Sequence, residues 1–303
     1  MNAAAALIGY MAAVAFAAPP LILRSNWTHR APALAVVLWQ ALALSFAIAA
    51  ALTAYHLATP TEHLHAGFVG LLHACGLHSD VGRPDPGTEE QLATALPGAV
   101  LLSLAGSYTW HLVRARRARA RHRRTLDIVG RRSDHLHATV LPYDTPAAYC
   151  LPGRSPRIVV SDTAVQMLSA QQLDAVLEHE RAHVSGRHHL VLAAAEAFAS
   201  VFRGVPLARH IREQTALLLE MIADDRAVRT HSHAVFAAAM YEMAAVRAPR
   251  GAFAVGGHTV LIRLRRVLGP NAGPHPVVSG AMATVAVVAP LLPLLLACPP
   301  SLV

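Results

Sequence analysis

The sequence predicts a mainly α membrane protein, with four transmembrane helices and a cytoplasmic α+β domain. Three observations predict it. Four runs of about 20 residues carry no charged side chain, the length a helix needs to cross a hydrocarbon core. Seven arginines follow directly on the third run. Only the segment between the third and fourth runs mixes strand-like and helix-like patterns at domain length.

Composition agrees. Apolar residues make up 54% of the 303 residues and charged residues only 15%, against about 25% charged in a typical soluble domain. Those figures exclude a disordered chain. Three cysteines, Cys75, Cys150 and Cys298, exclude a disulfide scaffold. All 26 basic residues are arginine, and the net charge is +8.

The spans fall at about 3–23, 33–56 and 92–112, with a fourth from 277. A helix satisfies its own backbone polar groups, so it is the expected spanning form. Pro19, Pro20, Pro290 and Pro293 are expected to kink the first and fourth spans. A cleaved signal peptide would need a basic start, which Met1-Asn2 does not provide. The organisation expected is three spans in 1–113, a cytoplasmic domain in 114–276, and the last span with a short tail in 277–303.

Charge sets the orientation. Loop 57–91 carries Glu62, Asp80, Asp85, Glu89 and Glu90 against Arg83 alone. Arg114, Arg116, Arg117, Arg119, Arg121, Arg123 and Arg124 follow the third span. Basic residues near spans stay cytoplasmic. The N-terminus and loop 57–91 are therefore expected outside, and 114–276 inside, in a multi-pass protein of the cell membrane. The arginine run has no interleaved aromatics and abuts a span. It reads as a topology signal with affinity for anionic lipid heads, and no direct nucleic-acid binding is expected. His63, His65, His73 and His78 in the outside loop read as part of a short interfacial helix.

The cytoplasmic segment opens with strands expected near 138–141, 147–151 and 157–160, separated by Pro142-Tyr143-Asp144 and Pro152-Gly153-Arg154. Ser169, with Gln172 three residues on, reads as the capped start of a helix. That helix carries His179-Glu180-Arg181-Ala182-His183. Residues four apart share a helix face, so His179 and His183 can grip one zinc ion. Glu180 can then take the proton of a zinc-activated water during attack on a carbonyl.

A catalytic zinc needs a third protein ligand and an open position. Glu220, among Leu217, Leu218, Leu219 and Ile222, is the expected third ligand. Asp224, one turn on, can accept from the far nitrogen of a zinc-bound histidine. His189 is the rival ligand, because 179–189 also fits H-E-x-x-H-x-x-G-x-x-H. That pattern needs a chain break at Gly186, whereas the sequence beyond reads as continued helix. His231, His233 and Tyr241 are candidate oxyanion donors. The apolar stretch 190–205 is too short for a span and reads as lying against the membrane.

The stretches 147–153, 157–161, 175–183 and 220–224 resemble the BlaR/MecR-type integral-membrane zinc metallopeptidases, and the four-span layout agrees. The related Ste24/HtpX-type peptidases share the H-E-x-x-H and E-x-x-x-D pair. The resemblance implies a zincin-like fold and a gluzincin site, with His179, His183 and Glu220 as ligands, Glu180 as base and Asp224 orienting a ligand. It implies an endopeptidase acting on a protein or peptide, with a transcriptional repressor or the chain itself as the regulatory substrate. The BlaR/MecR sensors carry a penicillin-binding domain after the last span, and here only 298–303 follow it. Two other readings compete: a non-catalytic signalling receptor with a vestigial zinc site, and a quality-control protease of the Ste24/HtpX type. A metal transporter is disfavoured, because the span centres hold no ionisable groups.

Overall fold

The computed structural model describes residues 3–58, 88–246, 255–269, 273 and 275–297. Most of loop 57–91, with its four histidines, and both Cys75 and Cys298 lie outside the described residues.

Helix α1 (Ala3–Leu23) and helix α3 (Pro32–Ala58) are each long and apolar enough to cross a membrane. The short helix α2 (Trp27–Arg30) joins them. In α1 the predicted kink takes the form of a π-helical turn, Ala13–Ala17, where the Ala18 N–H reaches back to the Ala13 carbonyl. Pro19 and Pro20 offer no N–H to the preceding turn, and the widened turn absorbs that loss.

The third run lies within α4 (Thr88–Val129), a helix of 42 residues that continues through the arginine run. The fourth run is broken rather than kinked. It forms α11 (Pro276–Val288) and α12 (Leu292–Ala297) around a turn. Pro293 has no N–H for the Ala289 carbonyl one turn back. That carbonyl instead accepts from Ser45 Oγ at 2.6 Å and Tyr10 OH at 3.1 Å. Helices α1, α3 and α11 thus meet at one polar node inside apolar surroundings.

A four-stranded sheet follows α4: β1 (Arg131–Ser133), β2 (Ala138–Leu141), β3 (Ala148–Leu151) and β4 (Arg157–Ser161), in the order β1-β2-β4-β3. β4 runs parallel to β2 and antiparallel to β3, with Cys150 opposite Ile158. β3 is therefore an edge strand. β1 has no apolar residue and gave no signal in the sequence.

Helix α5 (Asp162–Met167) leads to α6 (Ala170–Ser185), which starts at the expected Ser169–Gln172 capping box. Then come α7 (His188–Val201), α8 (Pro206–Thr230), α9 (His233–Ala245) and α10 (Val255–Leu268). The expectation of a continuous helix through Gly186 is not met. The chain breaks at Gly186 and turns at Arg187, whose φ of 50° is left-handed. A left-handed non-glycine residue is uncommon, and no glycine marks that position.

The main core joins the apolar N-terminal helices to the rest. Trp39 and Phe46 of α3 pack with Phe198 of α7 and with Leu218 and Met221 of α8. Gln40 Nε2 donates to Thr215 Oγ1 across the α3–α8 contact at 3.1 Å. Stretch 190–205 is thereby part of this core, with Phe198 and Phe202 both edge-on to Phe46. A smaller core sits between the sheet and α6, built from Val160, Leu173, Val176 and Leu177.

Candidate metal centre

His179 and His183 stand one turn apart on α6, and α8 crosses beside them with Glu220. The structure brings these three together, their donor atoms all lying within 4.8 Å of one another. The two histidine Nε2 atoms are 3.2 Å apart. Glu220 reaches His179 Nε2 at 3.5 Å and His183 Nε2 at 3.3 Å. A tetrahedral zinc with ligands at about 2.0–2.1 Å separates them by about 3.3 Å. The donor set and its spacing therefore fit a zinc-sized cation.

Each ring is also held from its far side. His179 Nδ1 lies 3.1 Å from Asp224 Oδ1. The contact is close but poorly aligned, and Nδ1 is left without a well-directed hydrogen bond. Arg263 on α10 takes both Asp224 oxygens, through Nε at 2.8 Å and Nη2 at 2.5 Å. Asp224 is fully buried. His183 Nδ1 pairs with Nδ1 of the buried His188, the first residue of α7. Phe236 of α9 stacks on the His179 ring.

Arg263 was not found in the sequence. Besides holding Asp224, its Nη1 donates to Glu220 Oε2 at 2.7 Å. Three residues on, Arg266 pairs with Asp225 at 2.7 Å. The i, i+3 arginines of α10 thus answer the carboxylates of α8. The signal available was an unusually basic amphipathic stretch at 263–266, but sequence spacing could not tell which acids it meets.

The electrostatics follow from this packing. Burial opposes a charged His179, yet Asp224 and Glu220 outweigh it and push its pKa up to about 9. Burial drives His183 down to about 4 despite Glu220. Burial would raise Glu220, but the hydrogen bond from His179 and the charge of Arg263 bring it down to about 2. The pocket thus favours one positive charge between the two rings and Glu220.

Glu180 lies beside this cluster, and burial raises its carboxyl above the usual range. The Cys150 thiol on β3 points at it and is itself pushed up to about 12, by burial and then by Glu180. Edge strand β3 therefore runs alongside the base.

The remaining candidates lie elsewhere. His189 is outside the cluster and faces α4. The break at Gly186 occurs as the metzincin pattern requires, but it returns His188, not His189, to His183. His231 is engaged with Asp174 at 3.1 Å and His233 with the Val267 carbonyl at 2.8 Å. Tyr241 is exposed on α9.

With this geometry in hand, comparison with known proteins adds a family likeness over part of the chain. Residues 113–249 match peptidase family M48. The match supports an M48 metallopeptidase, on the Ste24/HtpX side of the two resemblances, and covers α6, α8 and the sheet. No curated protein and no solved structure gives a match.

Proposed function

We propose that the chain is a multi-pass membrane zinc endopeptidase that hydrolyses peptide bonds at the cytoplasmic face. The observation that carries it is the inward convergence of His179 Nε2, His183 Nε2 and Glu220 at zinc-like spacing, with Glu180 adjacent. Bound there, zinc supplies Lewis acidity that polarises the scissile carbonyl and acidifies an attacking water. Glu180, with its raised pKa, takes the proton of that water and delivers it to the leaving amine. His188 pairs with the outer nitrogen of His183, and Asp224 lies against that of His179, so each ring has a neighbour suited to turning its Nε2 lone pair inward. The free side of β3 aligns an extended substrate backbone by strand addition. Arg263 balances the negative charge of Glu220 and Asp224 within the buried site.

Membrane crossing by the first, third and fourth runs is supported by their exposed apolar side chains. They include Phe16, Leu102, Trp110, Val277 and Val287, each more than 60% exposed. Such surface fits lipid rather than water. The arginines of α4 then lie inside. The resemblance to BlaR/MecR-type proteins supports a repressor or the chain itself as substrate. The M48 match favours a second reading, membrane-protein quality control.

The test is a comparison of all cleaved protein termini in cells carrying wild type or Glu180→Gln. A set of cytoplasm-facing cuts should vanish in the variant. Soluble repressors in that set favour regulation, and many unrelated membrane proteins favour quality control. Identical sets of termini would reject the peptidase reading.

A further inference from the structure

Beside His189 lies a cationic cavity of about 620 Å³. Arg116, Arg119, Arg123, Arg154 and His189 line it, with no aspartate or glutamate among its walls. The first three stand at i, i+3 and i+7, on one face of α4. None of the four arginines makes an ion pair among the described residues. Arg123 donates to the Leu151 and Pro152 carbonyls at 3.3 and 3.0 Å, while its buried Nε has no partner. Arg119 is held below the usual guanidinium value by burial and then by Arg123 and Arg116. Guanidiniums grouped without a carboxylate repel one another, most at the half-buried Arg119 and Arg123, and an anion relieves that repulsion. Their planar forks match phosphate oxygens two at a time.

The same stripe continues toward the apolar end of α4. Leu112 lines the cavity, one turn before Arg116, and Ala105 and Leu101 follow on that face, both exposed. An apolar track therefore leads into a basic cup roomy enough for a phosphate group and what it is attached to, the polarity pattern of one lipid molecule.

We propose that this cavity binds the phosphate of an anionic phospholipid headgroup, with an acyl chain along Leu112 and Leu101. The phosphate chemistry stands on the cavity alone. The lipid source rests on the third apolar run lying in the bilayer, and neither depends on peptidase activity. Because Arg123 also holds the end of β3, an occupied cup steadies the strand that runs past Glu180.

The experiment uses purified full-length protein in a zwitterionic detergent, titrated with short-chain phosphatidylglycerol, phosphatidylcholine of equal chain length, inorganic phosphate, and an acidic peptide. Binding is read by native mass spectrometry and calorimetry. Wild type should bind phosphatidylglycerol at least tenfold more tightly than Arg116→Gln/Arg119→Gln, and more tightly than phosphatidylcholine. Arg154→Gln, in the turn after β3, gives a second reading should the double variant fold poorly. Inorganic phosphate binding as tightly as the lipid, and lost in the same variants, upholds the cup with soluble phosphate as its source. Equal phosphatidylglycerol binding by wild type and both variants overturns the proposal, as does preference for the acidic peptide.

Discussion

Nδ1 of His188 lies 2.8 Å from Nδ1 of His183. Between two imidazole nitrogens at that distance there is room for one proton. With the proton on His183, its Nε2 carries a lone pair toward His179 and Glu220, as a ligand must. A histidine, not the more usual carboxylate or carbonyl, thus stands where it can set the tautomer.

Removing that partner loosens the metal. His188→Ala is expected to weaken metal affinity about 10–100-fold, measured by chelator competition. His188→Asn, which keeps an acceptor, should recover most of it. Gly186→Ala should mimic His188→Ala, because a β-carbon there would meet His188 Nε2 at 2.5 Å. Unchanged affinity in both His188→Ala and Gly186→Ala would show that the contact has no orienting role.

The identity of the third ligand is tested by a pair of substitutions. Glu220→Gln should purify with little or no metal, whereas His189→Ala should keep full occupancy by elemental analysis. The reverse pattern would move the ligand to α7.

Arg263 is the counter-ion of a carboxylate with no exposed surface. Arg263→Met leaves Asp224 buried without its main partner. Losing one member of a buried ion pair costs about 3–5 kcal/mol, and denaturant unfolding in detergent should show it as a lower midpoint. Arg263→Met/Asp224→Asn should recover part of the loss. A midpoint within error of wild type for Arg263→Met would mean that the pair contributes nothing net.

The metal-free protein should be most stable near pH 6.5, the ordinary histidine value. His179 is raised to about 9, so its contribution is complete below the unfolded value and lost as pH climbs toward 9. His183 is depressed to about 4, so the unfolded chain takes up protons first, and stability falls as pH drops from 6.5. Asp224, lowered by Arg263 and His179 despite burial, adds a further loss below about pH 4. Thermal unfolding of chelator-treated protein across this range checks the profile. A steady rise in melting temperature from pH 6.5 to 9 would contradict it.

What sequence spacing revealed here was local. His179 and His183 share a face because four residues make about one helical turn. Ser169 and Gln172 mark a start because a side-chain oxygen can cap backbone N–H groups. The three apolar strands showed through their turn residues. The pairing of α6 with α8 followed from the chemistry of a lone glutamate in an apolar stripe and from the resemblance to membrane metallopeptidases. Arg263 stayed hidden because its partners lie 39 and 43 residues away, and nothing in α10 names them. His188 stayed hidden because the turn that swings it back rests on Arg187 in a conformation its residue type disfavours. Strand β1 is legible only through its partner β2.

The clasp at Ala289 has a consequence for how the chain is assembled. Tyr10 OH and Ser45 Oγ lie 2.6 Å apart, and both face a carbonyl 279 and 244 residues further on. During synthesis these two hydroxyls wait for that carbonyl until the chain has been made past Ala289. The pair α1 and α3 therefore keeps two hydroxyl donors in reserve for the end of α11, and closure of the bundle waits on the arrival of Ala289.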